Sequence, residues 1–248
     1  MDIAKFLLES TQSHAREEIL NHKLLFDLKV AAGECGYHLQ NYHSDVDHDG
    51  FDLVLDDGVN LRKVQLKSIG HKAKAAKWEI HRGLLRPTAN NLESLGFQYK
   101  SPQFDDGSIC WGAEGGVILI VYKVNGSEVE VTYRYTDTYI ISAISLGLLK
   151  RGNPTVTVAN GVRQDLPKGK ANQKLEIKKG LFVKAATPGN LLCLLGMASP
   201  IKRNWQIRIR ALASEEWGPK GEMLASKLDE YRREFPAIMT EVCGHATP

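Results

Sequence analysis

Apolar residues recur along this chain at two spacings. Between about residues 13 and 35, Leu20, Leu24, Leu28, Ala31 and Cys35 repeat every three or four positions, the longest helical stripe in the sequence. Gly36 marks its end, and residues 37–42 predict a first strand. Residues 51–55 are apolar enough for a second strand, Asp57-Gly58 is a hairpin turn signal, and residues 61–67 alternate with period two. That alternation puts Leu61, Lys63, Gln65 and Lys67 on one face of the third strand and Arg62, Val64 and Leu66 on the other. Residues 117–122 are continuously apolar, as in a strand buried on both faces, and Asn125-Gly126 turns them into a partner strand over residues 128–135. Thr136 or Asp137 can cap a helix over residues 138–149, with Ile140, Ile141, Ile144 and Leu148 on its apolar side.

Elsewhere the pattern is shorter. Residues 2–9 predict a short amphipathic helix, residues 90–96 a helical turn, and the Gly-, Ser- and Asp-rich residues 98–116 an exposed loop. Residues 155–158 and 174–183 predict short strands, joined through a loop rich in Gly, Pro and Lys over residues 165–170. Thr187-Pro188 meets both the N-cap and first-turn preferences of a helix leading into residues 191–197. Residues 204–211 alternate as a strand, with Trp205, Ile207 and Ile209 opposite Gln206, Arg208 and Arg210. Residues 222–235 predict a last helix with Met223, Leu224, Leu228 and Tyr231 as its stripe. The division expected is a core over residues 1–150 and a basic α+β region over residues 151–248, either a subdomain or an elaboration of the same domain, since no repeat or disordered linker separates them.

Composition narrows the class. A chain of 248 residues with 43% hydrophobic and 25% charged content is ordinary for a soluble globular protein. The net charge is only +3, but from residue 150 to residue 210 there are 13 basic residues against 2 acidic ones, the expected footprint of a polyanion site. Cys35, Cys110, Cys193 and Cys243 form no C-x-x-C pair and have no histidines at zinc spacing, so neither disulfides nor a zinc site is expected. The N-terminus carries no signal-peptide core and no stretch approaches 18 apolar residues; the expectation is a cytoplasmic protein, with no membrane partner.

The chemistry centres on the hairpin. Asp52, near the start of the first hairpin strand, lies across the turn from Gln65 and Lys67, so an acid, an amide and an amine converge at one end. A carboxylate and an amide oxygen can hold a hard cation such as Mg²⁺ or Mn²⁺, and an ammonium can orient a water or balance charge on a phosphate. The same three residues also fit an ordinary half-solvated sheet face. The loop Asp45-Val46-Asp47-His48-Asp49-Gly50 opens like an EF-hand, but Asp52 falls at its eighth position, Asp56 replaces the bidentate glutamate, and a strand follows. Those acids either solvate the loop or, through Asp49, supplement the hairpin site.

Asp52 and Gln65-Leu66-Lys67 resemble the signature of the PD-(D/E)xK nuclease superfamily, with glutamine at the usual acid position as in its Mrr-like branch. The resemblance implies a restriction-endonuclease-like α/β core, a central mixed β-sheet flanked by helices, over roughly residues 13–150, with the basic C-terminal region elaborating it. It implies a Mg²⁺- or Mn²⁺-dependent endonuclease acting on DNA, in restriction or another defence against foreign DNA. Asp52 and Gln65 would be the metal ligands and Lys67 the residue orienting the attacking water. Glu17, with Glu18 as its alternative, would be the auxiliary acid of the first helix, although either glutamate also simply complements the helix dipole. Enzymes that cut both strands often pair two active sites, so a homodimer is expected alongside partner subunits of a defence system. The alternative function is a nuclease-fold module that binds DNA or assembles with partners without cutting. For the DNA backbone the candidates are Lys72, Lys74 and Lys77 after the hairpin, then Lys168, Lys170, Lys174, Lys178, Lys179, Arg208 and Arg210. A solubilising surface accounts for the same charges, and a solvated helix start with Trp78 in the core for the segment after the hairpin.

Overall fold

A computed structural model of the protein describes residues 6, 7, 9–43, 50–97, 111–126, 128–199, 204–218 and 225–245. The first stripe folds as predicted: Leu20, Leu24, Leu28 and Ala31 are buried along α1 (Ser13–Glu34). Gly36, at φ 80°, closes the helix by turning the chain so that Tyr37 N–H reaches the Ala32 carbonyl. Three antiparallel strands follow, β1 (Gln40–His43), β2 (Leu53–Asp56) and β3 (Leu61–Gly70), with Leu53 opposite Val64. The turn between β2 and β3 is held by the Asp57 carboxylate, which accepts from the N–H groups of Val59 and Asn60.

After β3 the chain leaves the sheet through β4 (Lys77–His81) and α2 (Arg82–Leu85). It returns as β5 (Gly116–Asn125), parallel to β3 and buried from Gly116 to Ile120, and then as antiparallel β6 (Glu128–Asp137). Asp137 caps α3 (Thr138–Ser145) by accepting from Ile140 N–H at 2.8 Å. Beyond residue 150 come α4 (Asn153–Asp165), β7 (Lys174–Lys178), β8 (Val183–Lys184), α5 (Pro188–Leu194), α6 (Trp205–Trp217) and α7 (Ala225–Cys243). The architecture is α/β: a mixed central sheet in the order β1-β2-β3-β5-β6-β8, flanked by helices, with a second ribbon of β4 and β7. The region beyond residue 150 is woven into both sheets, since β7 pairs with β4 and β8 with β6. Among the described residues no helix is long and apolar enough to cross a membrane.

Register fixes which helix covers which face. Asp27 of α1 accepts a 2.6 Å hydrogen bond from the Tyr133 hydroxyl. Tyr133 stands opposite Ile120, which stands beside Ser68, so α1 lies on the face shared by Val64, Leu66 and Ser68. Gln65 and Lys67 point to the other face.

Three expectations are corrected. Residues 155–158 lie in α4, where Gly152 and Pro154 start a helix whose buried side is Ala159 and Val162. Residues 204–211, expected as a strand, form the N-cap and first turns of α6: Trp205, Ile209, Leu212 and Ala213 are buried at helical spacing while Ile207, which a strand would have buried with them, is exposed. In the part of the expected loop 98–116 that is described, residues 112–115 are pinned by bonds from Gly112, Ala113, Glu114 and Gly115 N–H to the carbonyls of Pro87, Gly83, Arg86 and Leu84.

Glu114 is the centre of that segment. Its backbone is left-handed (φ 50°), and its carboxylate accepts from Thr88 N–H and hydroxyl, Asn91 Nδ2 and the Tyr139 hydroxyl, at 2.5 to 2.9 Å. Its carbonyl accepts from Arg62 Nη1, while Arg62 Nε bonds the Leu195 carbonyl. Burial works against ionisation of Glu114, yet the hydrogen bonds from Tyr139, Asn91 and Thr88 hold its carboxyl below the ordinary 4.5. Nearby Asp137 goes the other way: burial pushes it up to about 6, against the Arg62 guanidinium and the Ile140 and Tyr135 bonds that favour its charge.

These two carboxylates predict opposite pH responses in urea unfolding. Replacing Glu114 with Ala should cost about 2 kcal/mol at pH 7, because buried Tyr139 and half-buried Thr88 and Asn91 lose their acceptor. A depressed carboxylate stabilises above its unfolded value, so the gap between wild type and Glu114→Gln should be full at pH 7 and narrow as pH falls below about 4.5. A raised one stabilises below its unfolded value, so wild type should lose ground to Asp137→Asn as pH rises from about 4 through 6.

Candidate active site

The hairpin places its acid by a backbone contact. Asp52 N–H donates to the Val64 carbonyl at 3.0 Å, and its carboxylate Oδ2 accepts from Leu66 N–H at 2.6 Å. The acid is thereby fixed on β3 at the residue between Gln65 and Lys67. The approach to this point depends on Gly50: its φ is 69°, and a Cβ there would sit 2.3 Å from the His81 ring, so only glycine lets the chain pass against β4.

Gln65 is 7% exposed, and its Oε1 is buried with no hydrogen-bond partner. An unpaired buried acceptor costs about 1–3 kcal/mol, an outlay expected at a site that takes a ligand. Its ladder neighbour is Val117, which offers no donor side chain. Lys67 is partly exposed beside Leu119 and makes no ion pair among the described residues. The same cross-strand row continues through Leu119 to Arg134 and Lys184, so Arg134 stands two strands from Lys67, roughly 10 Å away on the same face. Among the described residues there is no group of three or more His, Cys, Asp or Glu able to hold a metal. A cation here would depend on the carboxylate of Asp52 and the amide oxygen of Gln65.

Glu17 and Glu18 are not brought to this point. Both are exposed, on a helix that covers the face opposite Gln65 and Lys67. Asp45, Asp47 and Asp49 lie outside the described residues, and Asp56, the last candidate ligand of that loop, accepts from Gly58 N–H in the hairpin turn.

The cations divide into two groups. Lys77 pairs with Glu176 at 2.6 Å, Lys168 with Asp165 at 2.9 Å and Lys174 with Glu79 at 3.8 Å. Arg208 ties α6 to α7, bonding Glu234 at 2.7 Å and lying over the Tyr231 ring, and Arg210 donates to Asn91 Oδ1, which puts it within the Glu114 network. The two arginines therefore serve as internal ties on a helix, where a strand face presented to DNA was expected. Lys72, Lys74, Lys170 and Lys178 are exposed, and Lys179 partly so, without an acidic partner among the described residues. The loop bearing Lys168 and Lys170 is anchored by fully buried Arg86, which donates to the carbonyls of Leu166, Pro167, Lys168 and Gly169.

Sequence reasoning missed the cleft beside the acid. It has a volume of about 330 Å³ and is lined by Phe51, Lys63, His81, Trp111 and Asn172 over a floor of glycine and alanine. The Lys63 ammonium lies 4.6 Å from the centre of the Phe51 ring. Two signals were available: Phe51 precedes Asp52, and Lys63 shares the face of Gln65. Nothing in the order of residues announces Trp111. No protein-family model matches this chain, and no curated protein or solved structure matches it significantly.

Proposed function

We propose that this protein is a divalent-metal-dependent nuclease that hydrolyses phosphodiester bonds in DNA. The observation that carries the proposal is the Asp52–Leu66 hydrogen bond, which holds an acid against the strand segment bearing Gln65 and Lys67. The order of elements supports it in part: a helix, three antiparallel strands, a linking segment, a buried parallel strand, its antiparallel partner and a helix, much as the resemblance to the PD-(D/E)xK superfamily implies.

Asp52 and Gln65 would hold Mg²⁺ or Mn²⁺, and the buried, unpartnered oxygen of Gln65 fits a cation better than it fits water-free protein. When bound, such an ion supplies Lewis-acid stabilisation of phosphoryl charge and an acidified water. Lys67 presents its ammonium on the same face, where it orients the nucleophile and balances charge on the phosphate. Lys72, Lys74, Lys170, Lys178 and Lys179 hold the backbone of the substrate without reading its sequence. A cytoplasmic setting, pairing as a homodimer and a place in defence against foreign DNA with partner subunits belong to the same proposal.

A second reading is a DNA-binding module of the same fold that does not cut. Neutral Gln65 and the lack of a cluster of acids around Asp52 among the described residues favour it, since both weaken the hold on a cation. Plasmid cleavage with Mg²⁺ or Mn²⁺, with and without chelator, decides. Asp52→Ala and Lys67→Ala should abolish metal-dependent cleavage while leaving the unfolding transition in place; undiminished cutting by either variant rejects the nuclease assignment. Gln65→Glu should lower the metal concentration needed for half-maximal cleavage, and cleavage appearing only in this variant would favour the module.

Salt dependence tests the cations. Neutralising Lys170 or Lys178 should reduce the slope of log binding constant against log salt by about 1 each, whereas Lys77→Ala and Lys174→Ala, whose partners are glutamates, should move it less.

A further inference from the structure

We infer that the cleft beside Asp52 receives one unstacked base, so that the DNA bound here is single-stranded or locally unpaired. This rests on the proposal above only in taking DNA as the ligand.

The floor is rigid and bare. Gly83 N–H bonds the Ala171 carbonyl at 2.8 Å, and Ala113 N–H bonds the Gly83 carbonyl at 2.8 Å. A Cβ at Gly112 would fall 2.0 Å from the Gly83 oxygen, so the two backbones pack where no side chain fits. The volume of about 330 Å³ falls within the range of sites for small organic groups. Its walls carry two aromatic side chains, Phe51 and Trp111, and two cationic or cation-forming ones, Lys63 and His81. Among the described residues no acid lines it. That pairing of π faces with positive charge suits a heterocyclic base attached to a phosphate, and it suits an acyl chain or an acidic peptide less well.

Position supports the same occupant. Phe51 is the residue before Asp52, and Lys63 is on the face of Gln65, so a nucleotide seated here has its phosphate beside the candidate ligands. The Asn172 amide on the rim can meet a base edge, and exposed Lys170, two residues away, lies in the loop that Arg86 anchors. A base inside an intact duplex cannot reach the cleft without breaking its stack, which raises the cost of duplex binding.

The test is binding in chelator, so that catalysis plays no part. Fluorescence anisotropy would follow a labelled oligothymidylate and a duplex of matched length, and a single strand containing 2-aminopurine would report stacking by quenching. Trp111→Ala removes an aromatic wall, and Ala171→Leu, at an exposed position of the cleft's lining, fills the space without removing a core contact, which keeps the test valid should the tryptophan variant fail to fold. Both should weaken single-strand binding about 5- to 100-fold, leave duplex binding within about twofold, and abolish the 2-aminopurine quenching seen with wild type. Equal losses on both substrates, no loss on the single strand, or no quenching by wild type would overturn the inference. The expected pattern in a chain that never cleaves DNA would keep the inference and remove the nuclease assignment. Metal-dependent cleavage combined with single-strand binding indifferent to Ala171→Leu would do the reverse.

Discussion

The fold turns on a half-buried carboxylate. Glu114 gathers the segment after α2 through Thr88 and Asn91, α3 through Tyr139, and β3 through the bond from Arg62 to its carbonyl. A charge in that position is costly to desolvate, and several donors aimed at it offset the cost. Removing the charge would leave those donors without a partner, which makes the network close to all-or-none. Because Glu114 lies two residues before the start of β5, the same contacts help to decide where β5 begins and so which of its residues lie beside Gln65 and Lys67.

That register is what gives the candidate site a shape. Parallel pairing of β3 with β5 sets Gln65 beside Val117, which offers its oxygen no donor, and sets Lys67 beside Leu119 further along the same face. The Asp52 carboxylate is aimed by a backbone N–H of β3, a contact that survives changes of side chain at residue 66. The site is therefore held by main-chain geometry, with side chains supplying only the chemistry.

Charge is arranged by the same economy. The basic excess after residue 150 is real in the sequence, but part of it ties elements together: Arg208 joins α6 to α7, Arg210 reaches the Glu114 network, and Lys174 pairs with Glu79 across the β4–β7 ribbon. What remains for a polyanion is a smaller set of lysines near one end of that ribbon and on the loop that Arg86 secures.

Local rules were enough for the elements whose physics is local. The stripe of α1, the Asp57-Gly58 turn, the buried run of β5 and the Asp137 and Thr187 caps were legible because periodicity and turn chemistry act over a few residues. That Asp52 meets the strand segment carrying Gln65 and Lys67 was legible for the same reason, since one hairpin joins them. Residues 155–158 and 204–211 were misassigned because short β-branched or alternating runs fit both periods, and only packing around Ala159 or Trp205 and Ile209 selects the helix. The placement of Glu17, the Glu114 network and the cleft with Trp111 depended on contacts between segments far apart in the chain. Those are set by which faces the tertiary structure buries, and no spacing along the sequence records them.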